Sequence, residues 1–212
     1  MSDLTYPKVQ EYLSSLVPPR EPEMRVMERY AARTGFPIIG PAAGYACYQI
    51  GRMVNARSVF EMGSGYGYST AWFAKAVREN GGGVVHHVVW DAALSQKATS
   101  HLGRLGYDGI VKYQVGEAIE TLRQTPGPFD LIFNDIEKQD YPTSLSVIKH
   151  KLRKGGVLII DNILWSGRIF RKADKSPATE GVRKFTELIT RDPDWIVSLL
   201  PIRDGLVVAL KK

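Results

Sequence analysis

The stretch SVFEMGSGYGYS, residues 58–69, decides the fold. It begins with the short apolar run of a buried strand and ends where a helical pattern begins. Three glycines, Gly63, Gly65 and Gly67, occupy the turn between the two. Glycine lets a backbone approach a ligand closely and take dihedral angles that other residues avoid. The stretch therefore predicts the first strand-turn-helix unit of an α/β sheet, with a ligand site at the turn.

The same alternation of strand and helix continues along the chain. Strands are predicted at SVFEMG, VVHHVVW, IVKYQV, FDLIFND and GGVLIID, and the helices between them over residues 69–78, 93–105, 117–122 and 141–152. Strands that alternate with helices of this length pair in parallel through right-handed crossovers. We therefore predict an α/β fold with a doubly wound, mostly parallel sheet.

Other elements flank this alternation. Amphipathic helices are predicted over residues 7–17, 21–34 and 41–54 before the first strand, and over 180–190 after the last. The C-terminal segment WIVSLLPIRDGLVVALKK joins two apolar runs through a short Arg-Asp-Gly connection, which predicts an antiparallel β-hairpin. We expect a single domain, 1–212, made of N-terminal helices (1–55) and a core (56–212).

The composition is that of an ordinary globular protein. Its 212 residues suffice for one well-buried domain, and 44% apolar and 24% charged residues give no sign of disorder. The N-terminus lacks the pattern of an export signal, and no apolar run approaches the roughly 18 residues of a membrane span. The single cysteine, Cys47, excludes an internal disulfide framework and a cysteine metal cage. We expect a cytoplasmic protein with no membrane partner.

The net charge of +6 fits an anionic partner such as nucleic acid or a phosphorylated substrate. A basic, solvated surface gives the same balance. The charge alone therefore does not identify a partner.

The spacing of the glycine turn indicates which ligand it binds. The pattern G-x-G-x-G is one residue short of the dinucleotide fingerprint, and the acidic Glu61 precedes its first glycine by two residues. A carboxylate there suits an ammonium group, such as that of S-adenosylmethionine, better than a pyrophosphate. A second acid at the end of the next strand usually binds the ribose, and Asp91 is the nearby candidate. A tight turn without a ligand remains the alternative.

Polar side chains also end the fourth and fifth predicted strands. FDLIFND ends in Asp135, and LIIDN ends in Asp161 and Asn162. All three lie on the same carboxyl edge as the glycine turn. Carboxylate and amide oxygens without His or Cys suit Mg²⁺, Mn²⁺ or Ca²⁺ better than zinc. The sequence therefore predicts a divalent metal site, with a plain Asp-Asn turn as the alternative.

Lys138 follows Asp135 by three residues. An amine beside a metal site can take the proton of a bound hydroxyl or hold the resulting oxyanion. We therefore predict a catalytic role for Lys138, against the alternative of a solvated surface lysine.

Five stretches together resemble the cation-dependent O-methyltransferases, which include the catechol and caffeoyl-CoA O-methyltransferases. They are FEMGSGYGYST, VGEA, FDLIFNDIEKQDYP, LRKGGVLIIDNILWSG and LLPIRDGL, in the family's order. The resemblance implies the class I methyltransferase (Rossmann-like) fold, S-adenosylmethionine as cofactor, methyl transfer to a hydroxyl group, and a homodimer that associates through the N-terminal helices.

The resemblance also implies roles for individual residues. It assigns the metal to Asp135, Asp161 and Asn162, deprotonation to Lys138, and a substrate contact to Ser166. We also expect Asp135 to take part in catalysis, and Lys138 and Trp165 to contact the substrate. For the cofactor, the resemblance implies Ile39, Glu61, Gly63, Ser64, Ser69, Ala118 and Glu137. We add Gly65, Asp91 and Asp135, which completes the predicted cofactor site.

The chain departs from the family pattern at two places. The family's ribose-binding acid falls on Val89, so either Asp91 reaches round or the ribose is held without a carboxylate. Where the family usually has Asp-Ala-Asp-Lys, this chain has Asp135-Ile136-Glu137-Lys138. The metal ligand and the lysine are kept, but the two residues between them, which line the site, differ.

Three interpretations of the substrate remain. We favour a small hydroxylated aromatic of the catechol type. The alternative is 5-hydroxyuridine in transfer RNA, since the N-terminal region also resembles bacterial enzymes that methylate it. A binding protein that has lost catalysis is a third interpretation, for which Val89 is the only argument. The basic segment SGRIFRKADKSP, residues 166–177, is expected to form a mobile flap over the metal site.

Overall fold

A computed structural model describes residues 6–212 of the chain. Eight α-helices are described there: α1 (Tyr6–Ser15), α2 (Pro22–Thr34), α3 (Gly40–Met53), α4 (Tyr68–Glu79), α5 (Ala92–Arg104), α6 (Ala118–Gln124), α7 (Tyr141–Lys151) and α8 (Pro177–Arg191). The strands are β1 (Ser58–Met62), β2 (Val84–Val89), β3 (Val111–Val115), β4 (Phe129–Asn134), β5 (Leu152–Ile160), β6 (Trp195–Leu200) and β7 (Leu206–Lys211). Short 3₁₀ turns cover Lys138–Asp140 and Trp165–Phe170.

The seven strands form one sheet in the order β3-β2-β1-β4-β5-β7-β6. Strands β1 to β5 pair in parallel, whereas β7 runs antiparallel to both β5 and β6. The predicted doubly wound sheet with a C-terminal antiparallel hairpin is confirmed. The order reverses beside β1, so the turns after β1 and β4 face each other across the switch point where such sheets bind ligands.

One predicted boundary is wrong. Leu152 was expected at the end of a helix, but it begins β5 and pairs with Phe129 of β4. Its side chain is buried in the core, which the helical pattern of the preceding residues did not show. Tertiary pairing here overrides the local pattern.

The two faces of the sheet carry separate hydrophobic cores. Val59 of β1 packs with α2 to α5 on one face, and Phe60 packs with α6 to α8 on the other. This alternation is the period of a strand, since successive side chains point to opposite faces. Glu61 lies two residues from Val59 and therefore faces the same side as α4.

The N-terminal helices fasten the glycine turn. Tyr66 donates a hydrogen bond to the Met27 carbonyl at 2.9 Å, and Tyr68 donates one to Glu28 at 2.7 Å. Both acceptors belong to α2. The α2 helix thus supports the glycine turn from outside the predicted ligand site. No helix within residues 6–212 combines the length and apolar character needed to cross a membrane.

Candidate functional site

A cavity of about 940 Å³ opens at the carboxyl ends of the parallel strands. This volume lies at the upper end of the roughly 300–1,000 Å³ found for small-molecule sites. Its walls include twelve of the predicted site residues: Ile39, Gly63, Ser64, Gly65, Ser69, Ala118, Asp135, Glu137, Lys138, Asn162, Trp165 and Ser166. The structure therefore brings most of the predicted site together.

The glycine turn is packed directly against the neighbouring strand ends. Gly63 has φ +84°, and an added Cβ would lie 2.5 Å from the carbonyl oxygen of Asp135. The Ser64 hydroxyl accepts a hydrogen bond from the Val88 backbone N–H at 2.9 Å. Any side chain at Gly63 would push the turn away from β4. The turn is therefore held between β2 and β4 at the centre of the cavity.

Glu61 lies behind this turn and is fully buried. Its Oε2 atom accepts a hydrogen bond from the Thr70 hydroxyl, while its Oε1 atom has no hydrogen-bond partner. Burial raises the pKa of the Glu61 carboxyl to about 7, an effect that the neighbouring hydroxyls of Ser69 and Thr70 only partly offset. A buried carboxylate with one free oxygen is a site for a cationic group.

The end of β2 offers apolar side chains to the cavity. Val89 is only 4% exposed, whereas Trp90 is 82% exposed, and both line the cavity. Asp91 does not line it: its Oδ1 atom accepts hydrogen bonds from the N–H groups of Ala93 and Leu94 at the start of α5. The structure therefore gives Asp91 the role of a helix cap and leaves its predicted ribose contact without geometric support. No motif in the sequence marks Trp90 as part of the site.

Asp135 and Asp161 lie at the ends of the neighbouring strands β4 and β5. The Lys138 ammonium group donates a hydrogen bond to Asp135 Oδ1 at 2.7 Å. Asp161 is fully buried, and its Oδ2 atom lies 3.3 Å from the Arg203 guanidinium group. Burial, and secondarily the nearby Asp135, raise the pKa of Asp161 to about 7. The two carboxylates thus repel each other, and each has a cationic neighbour.

Asn162 follows Asp161 in the left-handed region, with φ +60°. Its amide nitrogen donates a hydrogen bond to Asp204 Oδ2 at 3.4 Å, which leaves the amide oxygen free. Asp204 also accepts a hydrogen bond from the Ser166 backbone N–H at 2.6 Å. Arg203 and Asp204 belong to the Arg-Asp-Gly connection, which the sequence analysis identified as a turn and not as part of the site.

The oxygens of Asp135, Asp161 and Asn162 form the candidate metal centre. Residues 6–212 contain no group of three or more His, Cys, Asp or Glu side chains that could hold a metal ion. The candidate centre has only two carboxylates and completes its set with an amide oxygen. Two acids whose charges repel each other in a buried site fit a divalent cation, because its charge offsets the repulsion.

Lys138 is not a solvated surface residue. It is 8% exposed, and its ammonium group lies 5.3 Å from the centre of the Tyr141 ring and 5.8 Å from that of Trp165. Gly181 lets α8 pack against the lysine backbone, since an added Cβ there would lie 2.3 Å from the Lys138 carbonyl oxygen. The lysine is therefore held in one place beside Asp135.

The basic segment, residues 166–177, is held by hydrogen bonds and an ion pair, and only its first residue, Ser166, lines the cavity. The Arg183 guanidinium group donates hydrogen bonds to the carbonyls of Ile169 and Arg171, at 3.0 and 2.7 Å. Arg168 forms an ion pair with Asp174 at 2.7 Å. These contacts argue against the freely mobile flap that the sequence analysis expected. Three basic side chains of the segment remain exposed: Arg171, Lys172 and Lys175.

Residues 38–212 match the O-methyltransferase family. Among its relatives, a catechol O-methyltransferase of Niastella koreensis is 26% identical over the full length of both chains. A catechol O-methyltransferase of Mycobacterium tuberculosis is 28% identical, and the alignment covers 84% of this chain and 81% of the relative.

Solved structures agree with these sequence relatives. An O-methyltransferase from Bacillus cereus in complex with SAH has a TM-score of 0.87 and 27% identity, over 97% of both chains. The O-methyltransferase TomG from Streptomyces achromogenes in complex with SAM has a TM-score of 0.86 and 25% identity, over 97% of this chain and 96% of TomG. The similarity therefore includes the N-terminal helices as well as the core.

Proposed function

The chain belongs to the O-methyltransferase family and is an S-adenosylmethionine-dependent O-methyltransferase; from that premise we propose that it needs a divalent cation and methylates a small hydroxylated aromatic of the catechol type. The observation that carries the proposal is that Asp135 and Asn162 line the cavity of the glycine turn together with the buried Lys138, and that the fully buried Asp161 directly precedes Asn162 at the end of β5.

Asp135, Asp161 and Asn162 would hold the cation, with Mg²⁺, Mn²⁺ or Ca²⁺ as the ions that their hard oxygens prefer. When bound, the cation lowers the pKa of a coordinated hydroxyl, and S-adenosylmethionine supplies the methyl group. Asp204 supports these three metal ligands, because its hydrogen bond with the Asn162 amide nitrogen keeps the Asn162 amide oxygen free for the cation.

Lys138 would handle the proton of the substrate hydroxyl. Its amine form can take that proton, and its ammonium form can stabilise the oxygen left behind. The hydrogen bond to Asp135 and the contacts with the rings of Tyr141 and Trp165 fix the position of its nitrogen. A fixed nitrogen aligns the hydroxyl without reorganisation during the reaction, and such alignment contributes much of the catalysis in transfers of this kind.

The glycine turn and Glu61 would bind the methionyl end of the cofactor, with its ammonium group at the free oxygen of Glu61. Gly63, Gly65 and Ser69 bring backbone and hydroxyl groups to the same place. Glu137 would lie near the adenosine end, as the resemblance implies, and Ala118 would line the cofactor site beside it. There the ribose would meet Val89 and Trp90, which provide apolar contact in place of the family's carboxylate.

The choice of a small substrate follows from the walls near the metal centre. Trp165 and Ser166 bound the cavity beside Lys138, and Phe170 is 73% exposed in the following turn. These aromatic side chains suit a flat ring. The relatives include catechol O-methyltransferases and also a caffeoyl-CoA O-methyltransferase of Populus trichocarpa, which is 26% identical over 98% of this chain and 88% of the relative. The comparisons give no support to the transfer RNA alternative.

We also propose a homodimer and a cytoplasmic location, as the resemblance implies. Tyr12 and Leu16 of the N-terminal region are 64% and 60% exposed, so they could contact a second copy. Light scattering coupled to gel filtration measures the mass directly, and a monomer at micromolar concentration would contradict the dimer.

The substrate proposal is tested by methyl transfer from labelled S-adenosylmethionine with Mg²⁺ present. Catechol and caffeate, which have adjacent hydroxyls, should take up label, while phenol and resorcinol should not. Bulk transfer RNA serves as the competing substrate. Label in transfer RNA but in no catechol would reject the proposal and favour the alternative.

A further inference from the structure

A row of polar side chains crosses the buried sheet behind the cofactor site. Glu61 of β1 pairs in register with His87 of β2, which in turn pairs with Tyr113 of β3. Glu61 and His87 are fully buried. Polar groups in a core are costly unless they are hydrogen-bonded, so such a row calls for an explanation that packing alone does not give.

Thr70 of α4 links Glu61 to His87. Its hydroxyl group bonds Glu61 Oε2 and also lies 3.0 Å from His87 Nδ1. A hydroxyl has one hydrogen to donate. When that hydrogen points to the ionised carboxylate, His87 Nδ1 must donate its own hydrogen to the threonine oxygen. His87 Nε2 is then without a hydrogen, and it has no hydrogen-bond partner in the structure.

The relay leaves one oxygen of Glu61 without a partner. Within residues 6–212, no lysine or arginine forms a hydrogen bond or ion pair with Glu61. The titratable groups around it are His87 on β2, Asp135 beyond β4 and the Cys47 thiol on α3. Strand β4 places the apolar Phe133 beside it, and α4 contributes only the hydroxyls of Ser69 and Thr70.

His87 acts in this relay as an uncharged donor. Burial lowers the pKa of its imidazole to about 3, so the ring stays neutral over the working range of the enzyme. A neutral ring can orient Thr70 without adding a positive charge that would compete with a cationic ligand for Glu61. The carboxylate therefore stays available to a cation from outside the fold.

We propose that Thr70 and His87 are positioning residues that direct the Glu61 carboxylate toward the cofactor and favour its ionised form. Where the carboxyl still carries a proton before binding, the cofactor displaces it. The inference rests on the proposed placement of the methionyl ammonium group at Glu61. The carboxyl O–H bond of Glu61 breaks, its proton passes to the buffer, and the ammonium group then pairs with the carboxylate. No other bond changes.

Calorimetry of S-adenosylhomocysteine binding in two buffers of different ionisation enthalpy measures the released protons. The wild-type protein should release close to one proton at pH 6 and progressively fewer toward pH 8, because Glu61 ionises by itself as the pH rises through the pKa of about 7. The ligand 5′-methylthioadenosine lacks the ammonium group, so its binding should release none.

His87→Phe removes the donor to Thr70 and should raise the pH midpoint of binding by about one unit, which lowers the affinity about tenfold at pH 6. Thr70→Val should produce the same or a larger shift. His86→Phe is the matched control, because His86 is the adjacent buried histidine of β2, bonds Gln114 and packs against Phe60 on the other face. Its midpoint should match that of the wild type.

His87→Gln keeps a side-chain donor and should restore the midpoint, and Thr70→Val carries the test if His87→Phe fails to fold. Unchanged midpoints in His87→Phe and Thr70→Val, or equal proton release with 5′-methylthioadenosine, would overturn the inference. A wild-type protein that binds S-adenosylhomocysteine without releasing protons would refute only this inference. A protein that does not bind it at all would refute the cofactor site.

Discussion

Glu61 and Asp161 lie at the ends of strands in the same sheet, but different groups surround the two carboxyls. Both are fully buried, and burial raises the pKa of each to about 7. Glu61 contacts a hydroxyl and has one free oxygen. Asp161 faces a second carboxylate, Asp135, and has the Arg203 guanidinium group 3.3 Å away.

The difference indicates which ligand each of the two regions binds. A carboxylate without an internal cation suits a ligand that brings one positive charge, as the cofactor does. Two carboxylates that repel each other need more positive charge, and Lys138 and Arg203 already supply part of it. We therefore expect the Glu61 region to bind the cofactor and the Asp135-Asp161 region to bind the cation with the substrate.

The largest expected effect comes from the cation region. Asp161→Ala removes a buried ligand, so activity should fall by about 10³-fold or more, the scale of several kcal/mol of lost charge stabilisation. EDTA should abolish the wild-type activity, and added Mg²⁺ or Mn²⁺ should restore it. Asp194→Ala, at an exposed acid far from the cavity, is the control. Full activity of a metal-free wild-type enzyme would contradict the assignment of a cation to the Asp135-Asp161 region.

Lys138→Ala tests the proton transfer within the same region. It should lower kcat by roughly 10²-fold, the usual scale for a positioned acid or base, and change cofactor affinity little. Steady-state kinetics and cofactor titration separate the two quantities. The exposed Lys172→Ala should behave as the wild type in catechol turnover. A Lys138 variant with the wild-type kcat would mean that the lysine only packs against Asp135.

Glu61→Gln tests the other region. The amide keeps the shape but loses the charge, so affinity for S-adenosylhomocysteine should fall by about 10- to 100-fold, the range of hydrogen bonds to charged groups. Metal affinity should stay the same, because the cation contacts other residues. Equal losses of cofactor and metal affinity would show that the two regions act as one.

The smallest effect is expected at Asp91. Because Asp91 caps α5, Asp91→Ala should cost about 1 kcal/mol of stability, measured by urea unfolding. Cofactor affinity should change by less than about twofold, since Asp91 does not line the cavity. A cofactor affinity reduced about tenfold would instead restore the ribose contact that the sequence predicted.

The sequence predicted the fold and most of the site because both depend on local patterns. Strand and helix periods define the sheet, and the carboxyl ends of its strands bring Gly63, Asp135 and Asn162 together. The boundary at Leu152 was wrong because a long-range pairing with Phe129 decides it.

Other parts of the site depend on contacts that no local pattern records. Arg203 meets Asp161 from 42 positions away in the sequence, and Thr70 meets His87 from 17 positions away. The sequence could show that the family's acid is replaced at Val89, but only the structure shows that Asp91 caps a helix and that Trp90 is exposed beside the cavity.

Electron paramagnetic resonance of Mn²⁺ tests the central claim most directly, because it detects a cation at the Asp135-Asp161 region without relying on activity. With S-adenosylhomocysteine present, we expect one bound Mn²⁺ per chain in the wild type and in Glu61→Gln, and none in Asp161→Ala. A catechol should then alter the spectrum of the bound ion. No bound Mn²⁺ in the wild type, or the same binding in Asp161→Ala, would contradict the account.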